Sequence, residues 1–457
     1  MIFSSLLFLF WFIPIFFTVY YLVPQRYKNP VLFIFSVIFY GFGEPKYLLL
    51  IFLSITVNYF AGILMDKTSE NKALRTTVFV LCIVFDIGML MFFKYINFFI
   101  ENINALTGLK LSAVNITLPL GISFYTFQIM SYVIDLYRGK TVAQKSILKL
   151  GTYLIMFPQL IAGPIVVYSR VSDALDERRI KPEEIEEGVR IFIIGLASKV
   201  LLANNIGMLW EELKTVGYGN ISTLLAWLGA LSFTLQIYFD FNGYSLMAIG
   251  IGKMLGFEFP LNFDLPYTSA SVTEFWRRWH ITLSSWFREY VYIPLGGNRK
   301  GRLRTYINLF IVWFLTGFWH GAGWNFILWG LYFFVLLSLE KLFLKNILIK
   351  SRIFARLYTG IAVIVSWVIF AITDMGDILK YIGRMFSINT GNDIVYYLGN
   401  YAVVMAIGCA VSLGYVKKLY DKVNNRYIKM AAGVILFVIS VAYLADEGYN
   451  PFLYFRF

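Results

Sequence analysis

The chain has 457 residues, of which 59% are hydrophobic and 15% are charged, and its mean hydropathy is +0.67. A soluble domain carries about 25% charged residues, so this composition excludes an ordinary soluble enzyme. In a soluble protein the net charge of +13 would suggest a nucleic-acid partner. Here the cations lie in short loops between apolar runs, as the positive-inside rule describes, so no nucleic-acid partner is expected. The two cysteines and two histidines predict neither a disulfide framework nor a metal site.

Long apolar runs recur from one end of the chain to the other. Two examples are "VFVLCIVFDIGMLMFF" and "LYTGIAVIVSWVIFAITDM", which are long enough to cross a bilayer as helices. The first 23 residues lack a basic leading region and a small-residue cleavage site, which favours a first membrane helix over a cleaved signal. We predict an all-α polytopic membrane protein with about eleven to thirteen membrane-embedded helices, some of them re-entrant.

The basic loops predict how the chain is threaded. "PQRYKNP", "DKTSENKALR" and "YRGKTVAQKSILK" are each expected on the cytoplasmic side, and the segment "FPQLIAGPIVVYS" is expected to be broken or re-entrant. The polar segment 168–190 contains Pro182 followed by two glutamates, which is typical of a helix start, and is predicted to be a cytoplasmic amphipathic segment. The last apolar run follows the basic stretch "KKLYDKVNNRYIK", so residues 448–457 should lie on the extracytoplasmic side.

The two histidines occupy unusual positions. His280 lies in "EFWRRWHITLSSWFREYVYIPLGGNR" and His320 in "FLTGFWHGAGWNFILWG", each directly after a tryptophan. A polar side chain in a membrane segment usually faces a cavity and has a function, although a histidine that only packs against a carbonyl is the alternative. Basic stretches flank the second motif on both sides, which predicts a hairpin with His320 and the flexible Gly321 and Gly323 at its deep end. Fifteen helical residues reach roughly 22 Å, and a base at that depth could take a proton from a hydroxyl that attacks an acyl group.

Further polar residues complete the candidate site. The region 261–305 is too polar to span and is expected to be cytoplasmic or interfacial. It contains Arg277, Arg278 and Arg288, which would hold the phosphates of a coenzyme or act only as positive-inside anchors. The remaining candidates, Asp240, Asn242 and Trp319, are expected to line the cavity near the histidines. The alternative for Asp240 and Asn242 is that they bond one another at a helix break.

These motifs, together with "PLGISFYTFQIMSYVIDLYRG", "FPQLIAGPIVVY" and "FDFNGYSLMAIGIGKMLG", resemble the membrane-bound O-acyltransferases, and most closely their alginate-type acetylating branch. The resemblance covers nearly the whole chain as one transmembrane domain, 1–457, and implies helices arranged around a central funnel. It implies that His320 is catalytic and that His280 occupies the second characteristic position of the family, which is Asn or His. The implied donor is cytosolic acetyl-CoA, with no permanently bound cofactor. The implied partner is an extracytoplasmic SGNH esterase-like protein that places the acetyl group on a polysaccharide.

The C-terminal stretch "FLYFRF" resembles a motif of the related teichoic acid D-alanylation system. There a separate small peptide ends in Phe-x-Tyr-x-x-Phe, and its tyrosine is thought to accept the acyl group. Here Phe452, Tyr454 and Phe457 have that spacing within the transferase chain itself, which favours the acetylating branch. The resemblance implies that Tyr454 is the acyl acceptor and that the two phenylalanines seat the tail.

Three functions stay open on the sequence. The first is acetyl transfer from acetyl-CoA, through the tail, to an extracytoplasmic polysaccharide. The second keeps the enzyme class but uses a carrier-protein thioester for D-alanyl transfer to teichoic acid, or acetylates peptidoglycan. The third is a non-enzymatic transporter of lipid or polysaccharide, which would require neither His320 nor the tail. In each case the expected location is a bacterial plasma membrane, in contact with its lipids and crossed many times.

Overall fold

A computed structural model describes residues 1–161, 163–446, 450 and 453. The regular secondary structure of these residues is helical, which confirms the all-α prediction. Eight of the described helices are long and apolar enough to cross a membrane. A helix is suited to this because it pairs its own backbone N–H and C=O groups within the bilayer. A shorter apolar helix covers Phe8–Leu22. The larger predicted number of embedded segments includes such short pieces and stays a prediction.

The chain divides into two compact units. The first contains residues 1–192 and 245–260, and the second contains residues 193–244 and 261–457. The helices of the first unit, preceded by a π-helical turn at Phe8–Phe12, are α1 (Ile13–Leu22), α2 (Lys28–Gly43), α3 (Leu48–Lys67), α4 (Lys72–Thr107), α5 (Ile122–Tyr137), α6 (Ile147–Ile155), α7 (Phe157–Leu160) and α8 (Ser172–Asp176).

The boundary between the two units falls within each of two long helices. One is continuous over Pro182–Val216 and consists of α9 (Pro182–Ala197), a π-helical segment (Ser198–Asn204) and α10 (Asn205–Val216). The other is α11 (Thr223–Met254). The remaining helices lie in the second unit and are α12 (Val272–Arg278), α13 (Ile281–Phe287), α14 (Arg302–His320), α15 (Trp324–Leu339), α16 (Lys345–Leu348), α17 (Arg352–Ala371), α18 (Met375–Phe386), α19 (Asp393–Ser412), α20 (Tyr415–Lys422) and α21 (Arg426–Asp446).

The segment 168–190 is not one amphipathic helix. It contains a 3₁₀ turn at Tyr168–Arg170 and the short α8, and only then the start of α9 at Pro182, where the sequence indicates a helix start. From Pro182 the helix continues as a 35-residue apolar element. Arg178 explains why the part before α9 is fixed, because its guanidinium is buried within the first unit and donates to Tyr20 Oη (2.8 Å) and Asn29 Oδ1 (2.7 Å).

Candidate active site

His280 lies at the junction of α12 and α13, in a backbone conformation that is uncommon for a residue with a side chain. Its φ and ψ are 44° and 54°, in the left-handed region, and its side chain is 0% exposed. Asn, Asp and His are enriched among non-glycine residues in this region, and such residues cluster at functional sites. The left-handed residue separates two seven-residue helices and turns the imidazole into the interior of the second unit.

Asn262 holds the ring of His280. The side-chain oxygen of Asn262 lies 3.1 Å from His280 Nδ1 and accepts from the backbone N–H (3.3 Å) and hydroxyl (2.9 Å) of Thr282. Because a backbone N–H can only donate, the atom that it faces is the oxygen of the amide. His280 therefore donates through Nδ1–H, and Nε2 is its unprotonated nitrogen. Burial lowers the pKa of His280 to about 3, because the charged form would lose its hydration, so the ring is neutral near pH 7.

His320 is the last residue of α14, and α15 begins four residues later at Trp324. The predicted helical hairpin with His320 at its turn is therefore confirmed. Its two helices approach closely at Gly317 and Gly330, where an added Cβ would lie 2.3 Å and 2.4 Å from a backbone oxygen of the opposite helix. Gly321 has extended backbone, with φ −170°, so a glycine is needed there for space against the ring of Phe326 rather than for flexibility.

Aromatic rings surround the imidazole of His320, which is 5% exposed. The ring centroids of Trp329 and Phe370 lie 4.9 Å and 5.3 Å from it, both nearly edge-on. Asn325, at the start of α15, donates its side-chain amide to the carbonyl of Phe370 (3.1 Å) and so ties α17 to the hairpin. The result is a base in an apolar enclosure on a rigid support.

The fold brings the two histidines together through Trp319. The indole centroid lies 5.0 Å from the ring of His320 and 6.0 Å from the ring of His280, and Trp319 is 4% exposed. Phe241 of α11 also contacts His280, with centroids 4.7 Å apart. Three ring contacts thus connect α11, the α12–α13 junction and the hairpin, within the second unit.

Glu340 adds a polar connection between the same regions. It follows α15, is 3% exposed, and accepts from the backbone N–H groups of Val272 (2.6 Å) and Thr273 (2.9 Å). These are the first residues of α12, whose N–H groups have no partner inside the helix, and a carboxylate at this end also suits the helix dipole. The base of the hairpin therefore fixes the helix that leads to His280.

Asp240 binds the end of the chain. Its carboxylate pairs with Lys199 (Oδ1 to Nζ, 2.7 Å), and Oδ2 accepts the backbone N–H of Leu453 (2.8 Å). Asn204 accepts from Lys199 Nζ (2.7 Å) and donates to the side chain of Asn450 (3.3 Å). Asp240 and Lys199 are about 1% exposed and Leu453 is 5% exposed. Tyr454, Phe452 and Phe457 lie outside the residues that the structure describes.

Asn242 has a less defined role than its neighbour Asp240. The helix α11 is unbroken from Thr223 to Met254, so the predicted helix break at these two residues is wrong. The helix continues through these polar residues because their neighbours in the sequence are apolar and Asp240 pairs with Lys199 of another helix. Asn242 is partly exposed on the same helix.

The three arginines differ in what they contact. Arg278 is engaged by two carboxylates, Glu274 (3.0 Å) and Asp264 (3.2 Å). Arg277 is exposed on α12, and Arg288 is exposed at the start of the π-helical turn that follows α13. Exposed guanidinium groups have donors available for phosphates, and donor binding by the three arginines stays a prediction.

Several residues of this site were not found by sequence reasoning. Lys199, Asn204 and Glu340 lie in long, mostly apolar stretches, and Asn262 lies in a loop. The signal available for Lys199 and Glu340 was a charge within a run long enough to span, which predicts a buried partner. Asn262 gave no comparable signal, since it lies in a loop eighteen residues before its partner His280.

The sequence of this chain is similar to those of several known proteins. The sequence model of the MBOAT, membrane-bound O-acyltransferase family, matches residues 141–375, which include both histidines. The chain is 37% identical to the "Probable alginate O-acetylase AlgI" of Pseudomonas putida over 100% of both chains. It is 32% identical to the "Peptidoglycan O-acetyltransferase" of Helicobacter pylori, over 100% of this chain and 98% of that one. The "Teichoic acid D-alanyltransferase" of Bacillus subtilis is 28% identical over 50% of this chain and 60% of its own. The chain therefore belongs to the membrane-bound O-acyltransferase family.

Proposed function

We propose that this O-acyltransferase moves acetyl groups from cytosolic acetyl-CoA across the bacterial plasma membrane, through an ester on Tyr454, for O-acetylation of an extracytoplasmic polysaccharide. The tail 448–457 would face the extracytoplasmic side, opposite the coenzyme. An esterase-like partner on that side would then take the acetyl group to the polysaccharide. The membrane lipid is the surrounding solvent, and the helices have the apolar lengths that such a solvent requires.

A continuous run of contacts from the tail to both histidines carries the proposal. Leu453, the residue before Tyr454, is bound by Asp240, and the next residue of α11, Phe241, packs on His280. His280 in turn contacts Trp319, which packs on His320. A buried base near an anchored tail is the arrangement that an acyl-tyrosine pathway requires.

The proposed chemistry assigns the proton and the leaving group. The phenol oxygen of Tyr454 attacks the carbonyl carbon of the thioester, while His320 takes the phenolic proton. The C–S bond breaks, His320 gives the proton to the departing sulfur, the coenzyme leaves as its thiol, and the acetyl group is now an aryl ester. A phenol has a pKa of about 10, so it reacts slowly without a base, and its ester is an activated donor for the next hydroxyl.

His280 would serve this step as a positioning residue. Its Nδ1 is committed to Asn262, and its low pKa keeps it neutral, so it is poorly suited to exchange protons during turnover. Its ring contacts both Phe241 and Trp319, and it would thereby orient the indole beside His320. On the donor side, Arg277 and Arg288 would hold the phosphates of acetyl-CoA.

The comparisons support acetyl over D-alanyl transfer. The relatives matched along the full chain carry O-acetylase or O-acetyltransferase names, whereas the D-alanyltransferase match covers half of this chain. The names differ in the polymer, alginate or peptidoglycan, and the acceptor proposed for this chain is therefore an extracytoplasmic polysaccharide without a more specific identity.

Transfer of label from [¹⁴C]acetyl-CoA to the purified protein tests the proposal. We expect wild type to be labelled, with the acetyl group mapped to Tyr454 by peptide mass spectrometry, and His320→Ala and Tyr454→Phe to remain unlabelled. Tyr443→Phe is the matched control, because Tyr443 lies in α21 and is 41% exposed. Equal labelling of Tyr454→Phe and wild type would rule out the tyrosine carrier. Absence of label and of acetyl-CoA turnover in every variant, with the partner present, would favour a transporter.

A further inference from the structure

A buried polar network at the α9–α10 and α11 helices takes no part in the proposed proton and acetyl transfer, although its Asp240 contacts the tail. It consists of Lys199, Asn204 and Asp240, each about 1% exposed, and all three lie in helices long enough to span the membrane. Charged residues inside a membrane helix are costly and are retained where they have a function. A pair needed only for packing could be replaced by apolar side chains of similar volume.

The helix that contains Lys199 has an irregular turn at this network. Residues 198–204 form a π-helical segment, in which each N–H bonds to the carbonyl five residues earlier. Lys199 and Asn204 are five residues apart, which in a regular α-helix would place them roughly 140° apart around the axis. The wider turn brings them close enough for the 2.7 Å hydrogen bond between Nζ and Oδ1. Such single π turns are frequent at functional positions.

A glycine on the facing helix completes the arrangement. Gly243 lies one turn after Asp240 on α11, and an added Cβ there would lie 2.7 Å from the backbone oxygen of Gly195 and 3.1 Å from the backbone nitrogen of Lys199. The two helices therefore approach closely beside the ion pair. This close approach places the carboxylate of Asp240 within reach of Lys199 while its second oxygen points to Leu453.

The buried polar network binds the C-terminal tail. Asp240 Oδ2 accepts the backbone N–H of Leu453, and Asn204 donates to the side chain of Asn450. The contact to Leu453 uses only backbone atoms of the tail, so it fixes the position of the chain without selecting a side chain. Leu453 directly precedes Tyr454, so a shift of one residue at this contact would move the phenol by one residue as well.

We propose that the Lys199–Asp240 pair is a tail clamp, which holds the backbone at Leu453 and thereby sets where Tyr454 stands. Lys199 orients one oxygen of Asp240 and leaves the other for the tail, and Asn204 orients Lys199. This inference rests on the proposed acyl-tyrosine function for its purpose, but the clamp itself is a binding site for the tail and can be measured without any acetyl chemistry. Asp240 and Lys199 are therefore positioning residues.

A matched pair of double variants tests the clamp. Lys199→Met with Asp240→Asn removes both charges but keeps a side-chain oxygen for the N–H of Leu453. Lys199→Met with Asp240→Leu also removes both charges and has no acceptor. Removal of both partners avoids an unpaired buried charge, so both double variants should fold. Digestion with carboxypeptidase Y, followed by intact mass, measures how firmly the tail is held.

We expect the leucine double variant to lose its C-terminal residues about tenfold faster than wild type, because it lacks a hydrogen bond to a charged acceptor, and the asparagine double variant to stay within about fivefold of wild type. Equal digestion rates for wild type and the leucine double variant would overturn the clamp. Gel filtration in detergent checks that each variant is folded.

Leu453→Pro is a second test that leaves the ion pair intact. Proline has no N–H, so this variant removes the donor, whereas Leu453→Met keeps both the N–H and an apolar side chain. We expect rapid digestion and loss of acetyl label in the proline variant, and wild-type protection of the tail in the methionine variant. Slow digestion of the proline variant would overturn the clamp even if the double variants fail to fold.

The two proposals fail in different ways. If Tyr454→Phe keeps wild-type protection of the tail but also keeps wild-type acetyl labelling, the tyrosine carrier is wrong and the clamp stands. If Tyr454→Phe loses the label while the leucine double variant keeps both label and protection, the tyrosine carrier stands and the clamp is wrong.

Discussion

The two histidines are both buried among aromatic rings, but different contacts hold them in place. His280 is held through a hydrogen bond to Asn262 in a left-handed backbone position between two short helices. His320 ends a long helix, and the rings of Trp329 and Phe370 stand edge-on around it. A ring with one nitrogen committed and a low pKa is suited to hold a position. A ring bounded by aromatic side chains at the turn of a hairpin is suited to meet a substrate. The comparison therefore supports the proposed roles, in which His280 positions and His320 reacts.

Replacement of His320 should give the largest effect. We expect His320→Gln to lower the rate of acetyl labelling by about 10²- to 10⁴-fold, the usual contribution of a general base, with little change in thermal stability. The label incorporated in short incubations measures the rate. His280→Gln should lower the rate by a smaller factor if His280 only positions Trp319. A larger loss in His280→Gln than in His320→Gln would reverse the assignment of the two histidines.

The packing of α14 against α15, which positions His320, can be weakened without a change in the imidazole itself. Gly317→Ala would place a Cβ 2.3 Å from the carbonyl oxygen of Phe326, so α14 and α15 would have to separate. We expect a destabilisation of about 1–3 kcal/mol, as for an overpacked core, measured as a lower unfolding temperature in detergent. Gly360→Ala is the matched control, because Gly360 is also inside a helix but has nothing within 4 Å of an added Cβ. Equal unfolding temperatures for the two variants would show that the close crossing is not tight in solution.

His280 should be sensitive to backbone conformation as well as to chemistry. Ala in the left-handed region costs about 1–2 kcal/mol, whereas Asn tolerates it and can donate its amide to Asn262. We therefore expect His280→Ala to unfold at a lower temperature than wild type, and His280→Asn to remain close to wild type and to retain part of the acetyl labelling. If the two variants are equally unstable, the left-handed backbone does not explain the choice of residue.

Acidic pH should reveal the burial of His280. Its pKa is about 3 in the folded chain and about 6.5 when exposed, so between these values the unfolded chain binds one more proton. Stability is then present above pH 6.5 and is lost as the pH falls towards 3, by on the order of 1.4 kcal/mol per pH unit. The difference in unfolding temperature between wild type and His280→Asn, measured at pH 7 and pH 5, isolates this term. A pH-independent difference would mean that folding does not lower the pKa of this ring.

The sequence predicts the parts of this site that depend on local pattern. Basic stretches on both sides of an apolar segment predict the hairpin, and its glycines mark the turn at His320. The contacts of His280 depend on tertiary structure, since neither its left-handed backbone nor its partner Asn262 follows from neighbouring residues. The π-helical segment at Lys199 is equally absent from any local pattern, because helix periodicity assumes 3.6 residues per turn. Local patterns thus predict where the chain turns, and the packing of distant helices decides which polar groups meet.

The arginines next to His280 give the smallest expected effect and show whether this region also meets the donor. Arg277 and Arg288 are exposed, whereas Arg278 is paired with Glu274 and Asp264. We expect Arg277→Gln and Arg288→Gln each to raise the KM for acetyl-CoA by about two- to fivefold at low salt, because an exposed ion pair contributes up to about 1 kcal/mol, with kcat unchanged. Arg278→Gln should leave this KM nearly unchanged. If instead Arg278→Gln raises the KM most, its carboxylate partners give way to the coenzyme, and the α12–α13 region binds the donor through the arginine that the free protein keeps paired.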